Sequence, residues 1–357
     1  MPECHTGLEQ VNPIDLVSFN RWETQPERND RKLKFMYPFR NILFPTDLSP
    51  HARSALKYAA AFARQVDGRV VLFSVQSAKV PPNLLTLPDH IFENHENSWL
   101  VQIREEMKEL LADPLFHGVE VEPVIVEGEP AAEIARAVSD YEIDLVTVVT
   151  HGRKGLSRAL GGSTAEEIIA EAACPVLAVR PPQRDFVQHR GTRSEIHLNR
   201  VLLATNFRPS SVNATQLASQ FVDDFNCELH AVYVIGDYFE QISMMFPEGG
   251  LAALSRLRTY VEERMSQISR RMPNIPVKTH ISEGRPYEEI VRYAAQTDAD
   301  LIVMGTTVHP KLFGGTLVLG SEIERVVRNA PCPVLCVPAA RAVTPLPAMV
   351  RHPLPQT

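Results

Sequence analysis

What most constrains this chain is that it is written twice. Residues 41–47, NILFPTD, recur as RVLLATN at 200–206, which lie 159 positions further on. EGEP at 127–130 returns as EGRP at 283–286, and DLVTVVT at 144–150 returns as DLIVMGT at 300–306, both 156 positions on. ACPVLAV at 173–179 returns as PCPVLCV at 331–337, at a spacing of 158. Matches in the same order at nearly one spacing are an internal duplication. The period is far beyond the roughly 20–50 residues of a solenoid repeat, so each copy is a domain in its own right. A length of 357 residues suits two domains of about 150 residues each.

Within a copy the pattern alternates strand and helix. Asn41 to Pro45 reads as a short apolar strand, with Ser49 as N-cap and Pro50 at the first position of a helix that runs to Val66 and closes at Gly68. Arg69 to Val75 is a second strand. Lys79 to Ser98, with Pro81, Pro82 and Pro88, is a long excursion of the kind that is functional or disordered. A helix over about 99–111 follows, with Leu100, Ile103, Met107, Leu110 and Leu111 on its apolar face. A strand at 119–126, a helix at 131–139, a strand from Leu145, a helix at 164–172 and a strand at 174–179 complete the copy. The strands are β-branched apolar runs without alternation, as in buried parallel sheets. Right-handed crossovers then give an α/β fold: two tandem domains, each a five-stranded parallel sheet with helices on both faces. The predicted divisions are a poorly ordered extension at 1–37, domain 1 at 38–181, a polar linker without a core pattern at 182–197, domain 2 at 198–339 and a disordered tail at 340–357.

Bulk properties narrow the function. A net charge of −7 argues against a nucleic-acid surface, which needs a basic face. No apolar run approaches the roughly 18 residues of a membrane span, and the N-terminus lacks a secretory pattern, so a cytoplasmic protein is expected. Cys4, Cys174, Cys227, Cys332 and Cys336 have no disulfide or zinc spacing, and the last two read as small buried hydrophobes. No metal site is expected; His90 and His95 lie in the excursion without a recognised ligand partner. No nucleophile elbow, HExxH, Walker lysine or assigned carboxylate pair is present, and His151 has no carboxylate in its loop to orient it. No catalytic residue is named.

One stretch does carry chemistry. Asp144 to Thr164 is a strand breaking into Gly152, Arg153, Lys154 and Arg158, then Gly161 and Gly162, and restarting as a helix at Ser163. A glycine-rich loop entering a helix N-terminus offers N–H groups and a positive dipole end to an anion, most often phosphate.

Taken together, Pro45-Thr46-Asp47-Leu48-Ser49, Glu127-Gly128-Glu129-Pro130, the loop from Thr150 to Arg158 with Gly162-Ser163, and Cys174 to Val179 resemble the universal stress protein family. The resemblance covers both copies and implies a flavodoxin-like fold and, in nucleotide-binding members, an ATP or AMP site with or without Mg2+. That site is marked by Gly-x-x-Gly, nine residues, then Gly-Ser or Gly-Thr. Here the motif falls on Val149 to Gly152 and Gly162-Ser163, so its first glycine is absent. Carried over, the resemblance places Thr46 and Asp47 at the ribose or base, and the main chain of Val75 at adenine. Gly152, Arg153, Lys154, Gly162, Ser163 and Thr164 fall at the phosphates. A second, weaker site comprises Thr205, Asn206, Gly305, Gly320 and Ser321; there the second glycine is replaced by Val308 and eleven residues precede Gly320.

Structural readings stand beside these. Asp47 equally suits capping a turn, and Ser163 with Glu166, like Ser321 with Glu324, matches a capping box. The resulting expectation is a non-catalytic stress-response protein that binds and signals through an adenine nucleotide, best at copy 1, with binding ordering the excursion at 79–98. The alternative is a nucleotide-independent scaffold with degenerate loops. The resemblance further implies that the apolar edges at 175–179 and 333–337 pair antiparallel within the chain, with a homodimer and a protein partner of unknown identity beyond that.

Overall fold

Each copy is laid down on an anchor that the repeat carries twice. Asp144 Oδ2 accepts the main-chain N–H groups of Arg40 and Asn41, both at 2.9 Å, and Asp300 Oδ2 accepts those of Asn199 and Arg200 at 2.8 and 3.0 Å. The acid that opens each DL-rich strand thus fixes the start of the neighbouring strand, 103 or 104 positions earlier in copy 1 and 100 or 101 in copy 2. The computed structural model describes residues 39–76, 96–150, 162–181, 183–190, 193–236, 247–273, 275–310 and 317–339. The extension, the excursion up to residue 95, His151 to Gly161 with Gly152, Arg153 and Lys154, and the tail lie outside them.

Copy 1 comprises β1 (Asn41–Pro45), α1 (Arg53–Gln65), β2 (Arg69–Gln76), α2 (Glu96–Leu111), β3 (Glu120–Glu127), α3 (Pro130–Asp140), β4 (Leu145–Val149), α4 (Gly162–Glu171) and β5 (Val176–Val179). A hairpin, β6 (Val187–Arg190) and β7 (Arg193–Ile196), leads into copy 2. That copy comprises β8 (Arg200–Ala204), α5 (Pro209–Phe225), β9 (Glu228–Gly236), α6 (Pro247–Arg271), β10 (Val277–Gly284), α7 (Pro286–Gln296) and β11 (Leu301–Gly305). It ends with the pair β12 (Val308–Pro310) and β13 (Leu317–Leu319), then α8 (Ser321–Asn329) and β14 (Val334–Val337).

All ten main strands form one sheet in the order β10-β9-β8-β11-β14-β5-β4-β1-β2-β3. Pairing within each copy is parallel, and the copies join through β14 and β5, antiparallel with Leu335 opposite Leu177. The two edges expected to pair do so. Residues 35–357 accordingly form one contact unit, in which helices cover both faces of a continuous sheet. One core contains Phe62 and Phe221 from α1 and α5, whose rings meet edge-on at 6.0 Å. The other contains Ile168, Val326, Cys332 and Cys336. All four cysteines among the described residues are free and buried.

Three local expectations change. The helix predicted from Ser49 begins at Arg53, and Ser49 Oγ accepts the N–H of Ala52 at 3.2 Å in the turn before it. At the other end Asp67, not Gly68, takes the left-handed conformation (φ 51°). Gly68 is needed for a different reason: a Cβ there would lie 2.4 Å from the carbonyl oxygen of Arg40. Finally, the segment read as a linker without a core pattern buries Phe186, which packs on Tyr58 at 4.9 Å and Phe62 at 6.0 Å. Asp185 pairs with Lys57, and Arg64 donates to the Ser194 carbonyl at 3.3 Å. A few apolar residues among polar ones, Phe186 and Val187 buried and Ile196 packed on the same core, were enough to bind the hairpin to α1.

Candidate functional site

In each copy the order 3-2-1-4-5 makes neighbours of the first and fourth strands, from which the chain departs in opposite directions. This is the topological switch point, beyond whose carboxyl ends ligands of doubly wound sheets bind. In copy 1 the chain leaves β1 through a tight turn: Thr46 donates its N–H to Phe73 O at 2.9 Å, and its Oγ1 accepts the N–H of Leu48 at 2.9 Å. Asp47 Oδ1 accepts the N–H of Ser49 at 3.0 Å, and Leu48 has φ 61°. The capping role weighed for Asp47 is therefore present. The same side chain also lines a cleft of about 30 Å³, with Ser49, His51, Val149, Thr164 and Ile168, room for about one water.

The cleft faces the first turn of α4. Gly162 and Ser163 belong to that turn, Thr164 is buried in it, and the turn contains no acidic residue. Val75 sits on the neighbouring strand. Phe73 O accepts from Thr46 on the β1 side, whereas Gln76 O accepts from Gly128 at 2.9 Å on the β3 side. Alternation along the ladder then turns the main chain of Val75 toward the β1 side, past the end of β1 at Pro45. Asp47, Thr164 and the α4 turn thus converge, Thr46 is buried beneath them with its hydroxyl engaged, and Val75 stands one strand away. Sequence reasoning missed His51, which had no motif to mark it.

Copy 2 repeats the turn with different partners. Thr205 Oγ1 accepts from Phe207 at 3.2 Å. Asn206 Oδ1 accepts from Arg208 N–H at 3.1 Å and from the hydroxyl of Ser211 at 2.7 Å. A Cβ on Gly305 would lie 2.5 Å from the Ser210 carbonyl carbon and 2.6 Å from Ser211 N. Here the glycine at the motif's first position lets the first turn of α5 lie directly on the end of β11. Val149, its counterpart, has the side chain that forbids this approach, and in copy 1 the residues matching that turn, 50–52, precede the helix instead of forming it. Phe207 replaces Leu48, stacks on Tyr233 at 5.0 Å and lies under the Arg264 guanidinium at 5.4 Å.

The second loop is also a built element. Val308, standing where the motif has glycine, pairs with Leu319 in the β12/β13 ladder, and Leu319 is buried. β13 packs on α4 of the other copy. Gly320 is the N-cap of α8, its N–H donated to Thr307 O at 2.8 Å. The capping box read at Ser321 does not form: Ser321 is already the first helical residue, and Glu324 Oε1 meets Arg328 at 2.9 Å. Glu322 and Glu324 both lie in the first turn of α8, and Glu322 Oε2 accepts the N–H of Tyr287 at the start of α7 at 2.8 Å. Glu322 thus puts a carboxylate at the dipole end that an anion would need, at the position of Thr164 in copy 1, whereas Glu324 matches Glu166 of α4.

The fold and the two switch-point turns define a tandem doubly wound α/β protein. The sequence model of the Universal stress protein family matches residues 38–180 and 197–338, and the chain belongs to that family. It is 33% identical over 148 residues to a universal stress protein of Methanocaldococcus jannaschii, covering 39% of this chain and 81% of the relative. A universal stress protein of Mycolicibacterium smegmatis is 26% identical over 308 residues, 83% of this chain and 96% of the relative. Among solved structures, a universal stress protein from Archaeoglobus fulgidus superposes with a TM-score of 0.53 at 22% identity, over 85% of this chain and all of that one. No helix among the described residues is long and apolar enough to cross a membrane.

Proposed function

We propose that this chain is a cytoplasmic stress-response protein that binds one adenine nucleotide, ATP or AMP with or without Mg2+, at its first copy and signals by that binding without catalysing a reaction. The observation that carries the reading is the contrast between the two switch points. In copy 1 a cleft containing the Asp47 carboxylate opens toward a helix N-terminus free of acidic residues in its first turn. In copy 2 the α5 turn lies directly on Gly305, and the first turn of α8 carries Glu322 where copy 1 has Thr164, while Glu324 and Glu166 hold the same position in the two copies. Asp47 would accept from ribose hydroxyls, the main chain of Val75 would meet the adenine edge, and the N–H groups of Gly162, Ser163 and Thr164 would receive phosphate, with Arg153 and Lys154 close by in sequence.

Isothermal titration of the full chain with ATP, ADP and AMP tests this, with Gly162→Val as the control. Binding by the parent that is lost in the variant is expected; no heat at millimolar nucleotide would end the reading. The second reading, a nucleotide-independent scaffold, is favoured by the way the second loop holds the copies together through β13 and α4. Nucleotide co-purifying with the native protein argues against it. A homodimer would add contacts beyond β5 and β14, whose edges are already used within the chain.

A further inference from the structure

Arg328 of the second copy reaches the helix whose first turn carries the first copy's candidate site. Glu166 follows Thr164 and Ala165 on α4, and helical side chains lean toward the N-terminus, so its carboxylate lies toward the end at which a phosphate would bind. Alone, that charge opposes an anion there. Arg328, in the last turn of α8 and 162 positions away, donates to Glu166 Oε1 from Nε at 2.8 Å and from Nη2 at 2.5 Å. It also holds Glu324 at 2.9 Å. Burial pushes the Glu166 carboxyl up, and the Arg328 hydrogen bond opposes that shift. The arrangement is one-sided: the position matching Arg328 in copy 1 is Ala170, which offers no cation to copy 2.

We propose that Arg328 is a positioning residue of the first copy's nucleotide site, supplied by the second copy, and that it sets phosphate affinity by neutralising Glu166. This rests on the nucleotide reading above, and it assigns the second copy a role in the first copy's site. Removing the cation uncovers a negative charge near the bound phosphates, an effect that scales with ligand charge and is screened by salt.

The test is titration of the full chain, Arg328→Gln, Glu166→Gln and the double variant with ATP and with AMP, at low and high salt, with thermal unfolding of each. At low salt Arg328→Gln is expected to weaken ATP binding about two- to fivefold, to weaken AMP binding less, and to lose most of the effect at high salt. Glu166→Gln should bind as well as the parent or better, and the double variant should match it. Unchanged affinity in Arg328→Gln overturns the proposal. So does a loss that persists undiminished in the Glu166→Gln background or at high salt, which would mark a merely structural role. If the parent chain itself gives no heat with ATP, the nucleotide reading fails and this inference falls with it.

Discussion

Replacing Gly305 with valine should do to copy 2 what Val149 does to copy 1. The new Cβ would stand 2.5–2.7 Å from three backbone atoms of Ser210 and Ser211. Backbone cannot rotate aside, so the first turn of α5 must retreat. Overpacking of this kind costs about 1–3 kcal/mol. Retreat also breaks the Ser211 hydroxyl bond to Asn206, worth about 0.5–1.5 kcal/mol net. The sum is roughly 2–4 kcal/mol, a melting shift of about 4–16 °C at 2–4 °C per kcal/mol for a cooperative unit of 150–250 residues. Urea denaturation followed by circular dichroism measures the loss. A crystal structure of the variant should show α5 beginning later and a cleft beside Asn206. A variant within about 0.5 kcal/mol of the parent, the ordinary range for surface changes, would show that the close approach is not what Gly305 is for.

Three further outcomes are expected. Phe186→Ala removes a ring buried against Tyr58 and Phe62 and should destabilise by about 3–5 kcal/mol, read by calorimetry; a loss near zero would return the segment to a passive linker. Lys278, His230 and Arg200 hold the Glu228 carboxyl down at about 2, from an ordinary 4.5, while burial holds the His230 imidazole below its ordinary 6.5. Both stabilise the fold above their unfolded values, and the contribution is lost as pH falls through 6.5 and then from 4.5 toward 2. Glu228 is 37% exposed, so its share is screened to below about 1 kcal/mol; Glu228→Gln should flatten the lower limb of the melting-temperature profile, and an unchanged limb would contradict the assignment. Burial pushes the Cys174, Cys332 and Cys336 thiols up to about 12, so a thiol reagent should leave these three unlabelled in the native protein and label them on unfolding.

The duplication made the architecture legible in the sequence, because each repeated segment had to fill the same structural position twice. The join, which the family resemblance implied, falls on Val176 to Val179 and Val334 to Val337, the apolar last strand of each copy. What stayed hidden were contacts between segments distant in sequence. Asp144 and Asp300 looked like openings to strands, yet their partners are main-chain N–H groups of strands encoded about 100 positions earlier. Phe186 carried no periodicity, because a short hairpin contributes one ring rather than a face. Motif spacing marked Gly305 as a binding position and did not show that it also carries the close packing of α5 on β11, while its counterpart Val149 lines a cleft. Spacing records where backbone must come close; it does not record what it approaches.

The most direct test of the asymmetry between copies is the stoichiometry of nucleotide binding to the intact chain, measured by titration calorimetry and by mass spectrometry of the native protein. The expected result is one adenine nucleotide per chain, lost in Gly162→Val and retained when Ser321 is changed to Val. Two nucleotides per chain, or one that survives Gly162→Val and disappears with Ser321→Val, would contradict it.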